Sequence, residues 1–364
     1  VFGTRASRKK AFVHPLLTQP VRILDVLNKR DVMLHFPYHS FDSIIDLLRE
    51  AAIDPFVESI KITCYRLAKH SKIVNALINA VRNGKKVTVV LELRARFDEE
   101  ANIKWKQILE EEGVHVMVGL PDRKIHAKLC LISKRVGKTL RYYGFVSTGN
   151  LNETTANFYG DHCLLTSDKR IVSEIMKIFD FIRRPTELPL LHQCKSLIVS
   201  PYNTRSFFLQ KINTEIKNHK AGKPSGILIK LNSLADNVLI DAIYVAAENG
   251  VKVELIIRGI CCAVTMHKRW GENLRAISIV DEYLEHARVF YFHNNGKEDI
   301  YISSADWMVR NIDYRVEAST PVYNEEIKSE LKEILQIQWA ENEKARILDN
   351  SQSNQYVQKK KGSP

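Results

Sequence analysis

Within residues 123–155, RKIHAKLCLISKRVGKTLRYYGFVSTGNLNETT, a histidine and a lysine stand two positions apart, His126 and Lys128, and a turn rich in Ser, Gly and Asn follows. Alternation along the first part puts Ile125, Ala127, Leu129 and Leu131 on one side of a strand and His126, Lys128 and Cys130 on the other. A nucleophile and a cation thus share one face. The turn Ser147-Thr148-Gly149-Asn150-Leu151-Asn152 is too polar to continue a strand, and it offers backbone N–H groups and the Asn150 amide to an anion. These residue types together make a phosphate site. A single histidine on a strand is more often a hydrogen-bonded structural residue, so the reading depends on its surroundings.

Two arginines enlarge the constellation. Arg66 directly follows a strand-like run at 58–65, and Arg96 lies just beyond the run VTVVLEL at 87–93. In a sheet covered by helices the ligand crevice lies outside the carboxyl ends of the strands, which is where both arginines fall. One arginine at a strand exit is ordinarily a solvated charge; two converging on one crevice make a stronger case for an anion.

The elements that position these residues follow from periodicity. Residues 41–52 carry Ile44, Ile45, Leu47 and Leu48 at helical spacing. Ser71 caps a second helix with the stripe Ile73, Val74, Leu77, Ile78 and Val81, which ends at Asn83-Gly84. A third helix opens at Asp98-Glu99-Glu100 and stops at Gly113, before the strand VHVMV. Strand alternating with helix predicts a mostly parallel sheet. A strand at 160–166 and a helix at 169–184 close the first unit, and residues 185–193, with Pro185 and Pro189, read as a linker.

The pattern then starts again. ILIKLNSLADNVLIDAIYVAAENGVKVELIIRG (227–259) parallels IKITCYRLAKHSKIVNALINAVRNGKKVTVVLEL (60–93). Further on, the run containing Leu284, His286 and Arg288 parallels that of Ile125, His126 and Lys128, and Ser303-Ser304-Ala305-Asp306 stands where the first copy has its Gly149-Asn150 turn. An internal duplication of this kind can set two equivalent histidines across a shared pseudo-twofold crevice. The strand RVEASTPV (315–322) and a helix from about Glu325 to Arg346 precede a polar tail.

The 364 residues, 45% hydrophobic, are enough for two domains with substantial cores. No run approaches a membrane span, and the basic start VFGTRASRKKAFVHP lacks the apolar centre of a signal peptide, so a cytoplasmic location is the default. The six cysteines form no C-x-x-C pair and sit mostly among apolar residues, as reduced buried thiols do. A formal charge of +12 fits a polyanionic partner: nucleic acid, an anionic membrane or a phosphate polymer. Sparse aromatic residues among the basic ones argue against single-stranded nucleic acid. The first 35 residues show no complete element, and the chain begins with Val, which reads as a piece of something longer.

Tandem domains bearing His-x-Lys or His-x-Arg and a Gly-Asn or Ser-Ala turn resemble the phospholipase D superfamily. That superfamily usually has Asp five residues after the Lys, where this chain has Ser133, and its second Lys is here Arg288. The departures point away from a standard phosphodiesterase. LELRARFDEEANI, KIHAKL, STGNLNE, AISIVDEYLEHARV, SSADWMVRNIDYR and PYHSF together resemble the bacterial polyphosphate kinase family, over about Asp31 to Tyr356.

That resemblance implies an α/β fold of two phospholipase D-like domains, each a mixed, mostly parallel sheet flanked by helices, related by pseudo-twofold symmetry. The expected divisions are a lead-in at 1–35, domains at 36–190 and 191–348, and a disordered tail at 349–364. It implies reversible transfer of the terminal phosphoryl group of ATP to inorganic polyphosphate through a phosphohistidine at His126, with Mg2+ as cofactor. By position, His286 is the second essential histidine and an acid/base or transition-state partner. Arg66 and Arg96 match a magnesium-phosphate site; because arginine has no lone pair for a cation, they are expected to hold phosphate oxygens. Tyr159 and Arg258 match nucleotide-contacting positions. Lys128, Arg288 and Asn150 complete the expected site, and nucleic acid is not an expected partner. Family members are about twice as long, so the chain reads as a C-terminal half, homo-oligomeric when whole, with peripheral membrane association as a further expectation. Two other readings are a phospholipase D-like phosphodiesterase or nuclease, and a catalytically inactive polyanion-binding module.

Overall fold

The computed structural model describes residues 10–18, 20–93 and 99–358. Strands of the first half, in chain order, are β1 (Val32–Phe36), β2 (Val57–Cys64), β3 (Lys86–Leu91), β4 (His115–Val118), β5 (Lys124–Ile125), β6 (Lys128–Val136), β7 (Thr139–Ser147) and β8 (Tyr159–Thr166). Those of the second are β9 (Ile198–Ser200), β10 (Ile227–Leu231), β11 (Val253–Ile257), β12 (Leu274–Ser278), β13 (Leu284–Glu285), β14 (Arg288–Phe292), β15 (Asp299–Ser303), β16 (Arg315–Pro321) and β17 (Arg346–Ile347).

The duplication appears as two sheets of matching order. One runs β1-β8-β7-β6-β2-β3-β4, the other β17-β12-β11-β10-β14-β15-β16-β5. Both repeats cap the helix after their first central strand alike. Ser71 Oγ accepts the Val74 N–H at 3.3 Å and an Asp236 side chain accepts the Leu239 N–H at 3.1 Å, while Gly84 and Gly250 end the helices at φ 77° and 91°.

The sheets are mixed, as expected, yet less parallel than the strand-helix alternation predicts. Only β2-β3-β4 and β10-β11-β12 run parallel within each central set. β6, β7 and β8 pair antiparallel, because β6 turns into β7 through Gly137, at φ 60°, with no helix between them. The first 35 residues also hold more than expected: Ile23–Leu27 is helical, and β1 joins the edge of the first sheet, antiparallel to β8. The predicted helix to Arg346 stops at Trp339, and Arg346 instead enters β17 beside β12. Nor is the tail wholly loose, since the Val357 N–H reaches the Ala345 carbonyl at 2.9 Å; residues 359–364 lie outside the described ones.

Apolar residues form three layers. Helices Asp42–Ile53 and Lys72–Arg82 cover one face of the first sheet, and Thr204–Lys220 and Asn237–Glu248 one face of the second. Between them lies a core drawn from both halves, with Ile125, Ala127, Leu129 and Leu131 meeting Ala287, Val289, Ile302 and Ala318. Burying this shared face is what holds the halves in one orientation. The alternation read from the sequence is obeyed: Cys130 and Ile132 point to the other side, into the outer core. Among the described residues no helix is long and apolar enough to cross a membrane.

Candidate active site

The two short strands before the histidines change sides. β5 leaves the first sheet and pairs parallel with β16 of the second, while β13 pairs with β8 of the first. His126 and Ala127 both donate their N–H to the Val316 carbonyl, and His286 and Ala287 donate theirs to the Gly160 carbonyl. Each histidine is therefore anchored to the opposite sheet.

Its side chain is anchored there too. His126 Nδ1 lies 2.8 Å from Glu317 Oε1, and His286 Nδ1 lies 2.9 Å from Asp161 Oδ2. Matching hydroxyls hold the carboxylates: Thr148 Oγ1 donates to Asp161 at 2.6 Å, and Ser304 Oγ donates to Glu317. Gly149 permits the close turn, since a Cβ there would fall 2.0 Å from Asp161 Oδ2. With Nδ1–H given to a carboxylate, Nε2 of a neutral imidazole keeps its lone pair.

The two lone pairs have different fates. His286 Nε2 accepts from Arg288 Nη1 at 3.1 Å, whereas His126 Nε2 carries no hydrogen bond among the described residues. Lys128 is 2% exposed, and its Nζ has no hydrogen-bond partner there either; the nearest aromatic is Tyr65, whose centroid is 5.5 Å away. The Tyr65 ring also stands edge-on to His126 at 5.0 Å. Asn150 leaves its buried Oδ1 unpaired. An orphan ammonium beside an available imidazole describes a place for an anion.

Burial sets the charges. It drives the His126 imidazole down to about 3, with Lys128 and Arg315 adding to the effect against Glu317. Lys128 is pushed down to about 7, again by burial first, with Glu317 opposing. His286 is lowered by burial and by Arg288. Burial opposes charge on Glu317 and Asp161, but the surrounding imidazoles and cations hold both below the ordinary carboxylate range. The result at neutral pH is two neutral imidazoles between fixed carboxylates, with the buried Arg288 cation and a Lys128 poised between its charged and neutral forms.

Other expected residues fall as follows. Tyr159 lies 5.2 Å, ring to ring, from His286. Arg258 donates from Nε to Asn232 Oδ1 at 2.9 Å and is lowered by burial and by neighbouring Arg288. Arg66 follows Tyr65 directly, its guanidinium 5.9 Å from that ring. Arg96 lies outside the described residues. Ser133, in the position usually held by Asp, bonds Ser59 at 2.6 Å and is remote from His126 along β6. Sequence reading missed Asp161, Glu317, Tyr65 and Arg315. Asp161 and Glu317 had a signal, one acidic residue at the same place in the apolar strand of each repeat.

For a divalent cation the donor set is telling. Among the described residues no group of three His, Cys, Asp or Glu side chains could hold an ion, and Arg66 offers only donors. These residues do not fit a metal held by protein ligands, and they fit one carried on phosphate oxygens.

Fold and site together define a class: two duplicated α/β domains, each supplying one histidine that a carboxylate of the other holds. The chain resembles phosphatidylserine synthase of Haemophilus influenzae in fold, with a TM-score of 0.59, 11% identity and coverage of 88% of this chain and 87% of that one. It matches polyphosphate kinase of Porphyromonas gingivalis at a TM-score of 0.91 and 37% identity, over 99% of this chain and 55% of the other. The family models for polyphosphate kinase C-terminal domain 1 and C-terminal domain 2 match residues 22–188 and 197–364. Polyphosphate kinases of Salmonella typhimurium and Escherichia coli are each 48% identical over 333 residues, which is 92% of this chain and 48% of theirs. The chain belongs to the polyphosphate kinase family. It spans about half the length of the curated relatives it matches.

Proposed function

We propose that this chain carries the phosphoryl-transfer centre of a polyphosphate kinase, which moves the terminal phosphoryl group of ATP to inorganic polyphosphate and back. The observation that carries the reading is the neutral His126 with its Nε2 uncommitted beside the unpartnered Lys128 ammonium. The Nε2 lone pair attacks the terminal phosphorus, and the bond to the bridging oxygen breaks with its electron pair leaving on ADP. Glu317 keeps the Nδ1 proton and stabilises the positive charge that forms on the ring. A terminal polyphosphate oxygen then attacks phosphorus and returns the pair to Nε2.

Such transfer needs positioning and charge stabilisation more than covalent help. Lys128, Asn150, Arg66, Arg96, Arg258 and Arg288 are assigned to phosphate oxygens, and Tyr159 with Arg258 to the nucleotide side. Mg2+ would be held through phosphate oxygens gripped by Arg66 and Arg96, and would supply charge neutralisation there. His286 serves as a transition-state partner. A neutral His286 whose Nε2 already accepts from Arg288 has no proton there to donate, which favours this role over that of general acid.

The test is to supply the whole protein with ATP, Mg2+ and a short polyphosphate primer, then with long polyphosphate and ADP. Chain growth in the first mixture and ATP in the second are expected. Hydrolysis of bis(p-nitrophenyl) phosphate with neither product would overturn the reading in favour of a phosphodiesterase.

A further inference from the structure

The duplicated halves build matching sites and leave only one of them open. Lys128 corresponds to Arg288, Thr148 to Ser304, Asn150 to Asp306 and Asp161 to Glu317. In the second half the pair is closed: Arg288 donates to Asp306 from Nε at 3.2 Å and from Nη2 at 2.9 Å. Asp306 is itself fixed by the N–H groups of Asn232 and Ser233, each at 2.9 Å. This clamps one edge of the guanidinium and aims the remaining nitrogen, Nη1, at the His286 carbonyl, 2.7 Å away, and at His286 Nε2. With Nδ1 engaged by Asp161, both ring nitrogens of His286 are occupied.

The first half has the same scaffold without the clamp. Asn150 is neutral where Asp306 is charged, and Lys128 is a single point cation with no partner, so nothing draws a donor onto His126 Nε2. Exposure does not distinguish the rings, whose side chains are 12% exposed for His126 and 15% for His286. What distinguishes them is the donor on Nε2.

We infer that Asp306 is a specificity-determining residue that confines phosphoryl transfer to His126, by holding Arg288 against the Nε2 lone pair of His286. The inference rests on the phosphohistidine reading above. In both halves the reaction would need that lone pair to form the N–P bond while the P–O bond to the leaving nucleoside diphosphate breaks. Only His126 has it to give. Asp306 acts through Arg288, so it is a positioning residue.

Two measurements on the whole protein test this. The first is carbethoxylation by diethyl pyrocarbonate, which requires a free imidazole lone pair, followed residue by residue by mass spectrometry. In the unaltered protein His126 should react about tenfold faster than His286 or more, the factor a charge-assisted hydrogen bond is worth. In Asp306→Asn the His286 rate should rise towards that of His126. Equal rates in the unaltered protein would overturn the proposal, and this arm requires no variant to fold. The second uses His126→Ala, which should take no label from ATP carrying a labelled terminal phosphate, and His126→Ala/Arg288→Lys/Asp306→Asn, which should take label on His286. A folded triple variant that takes none overturns it. If the unaltered protein is not labelled on His126, the phosphohistidine reading itself fails, and the carbethoxylation rates still decide whether the clamp masks His286.

Discussion

Nδ1 of His126 lies 2.8 Å from Oε1 of Glu317, a residue 191 positions along the chain and in the other half of the fold. His286 and Asp161 repeat the relationship in the opposite sense at 2.9 Å. Each half thus supplies the histidine and borrows the carboxylate that fixes its tautomer, so neither half holds a complete site alone.

Glu317→Gln tests the exchange. The amide keeps the shape and one acceptor but loses the charge that stabilises a positively charged ring, so phosphoryl transfer should fall on the order of 10²-fold. Circular dichroism should show the fold kept. Rapid-quench kinetics within threefold of the parent would refute the role.

Lys128 gives a pH prediction. Its folded value near 7 lies below the ordinary lysine range, so the free site loses this cation as pH rises through about 7. An anion binds the charged form better, and affinity should therefore fall with rising pH, by up to about tenfold per unit. Calorimetry with trimetaphosphate, whose own charge is constant from pH 6 to 8, isolates the effect. Lys128→Met should bind more weakly at pH 6 and lose the trend; a parent affinity that does not change between these pH values contradicts it.

A second cluster should make the fold sensitive to acid. His35 Nδ1 and His162 Nδ1 are 2.8 Å apart, an arrangement in which one must donate and the other accept. Burial lowers His162 well below the usual histidine range and His39 to about 4, with His35 adding to both. Folded values below the unfolded one near 6.5 mean that this stability is present above that pH and is lost as pH falls towards 4. The thermal midpoint should drop by at least a few degrees between pH 7 and pH 5, and less in His39→Asn, whose amide can replace the ring acceptor for the His35 N–H. A midpoint independent of pH over this range would show that the cluster is not titrating.

Polyphosphate binding should weaken steeply with salt, given the +12 charge and the cations around His126. By analogy with nucleic acids, the logarithm of affinity should fall linearly with the logarithm of salt concentration. An affinity unchanged between low and high salt is the contrary result.

Much of this was legible in the chain. The alternation around His126 located β6 and the shared face with Lys128, and the Asn-Gly helix ends at 83–84 and 249–250 marked the repeat. Periodicity also predicted several helices to within a few residues, but it ran the helix from Glu325 past Trp339 to Arg346 and left Thr204–Lys220 unread. It could not reveal that β5 and β13 change sheets, because two-residue strands have no period to read. Glu317 and Asp161 left a signal, one acidic residue at the same place in each repeat, but not their pairing, since each one's histidine comes from the other half. β1 was missed because VMLHF is buried on both faces and so lacks an alternating pattern. The antiparallel β6-β7 hairpin was absorbed into a parallel expectation that only the strand-helix segments satisfy.

The central claim is that His126 is the phosphorylated residue. The whole protein, incubated with Mg2+ and ATP labelled in its terminal phosphate and quenched in alkali, should carry one acid-labile, base-stable adduct, mapped by mass spectrometry to His126. His126→Ala should carry none. Label retained in His126→Ala, or mapped to another residue in the unaltered protein, would contradict the account.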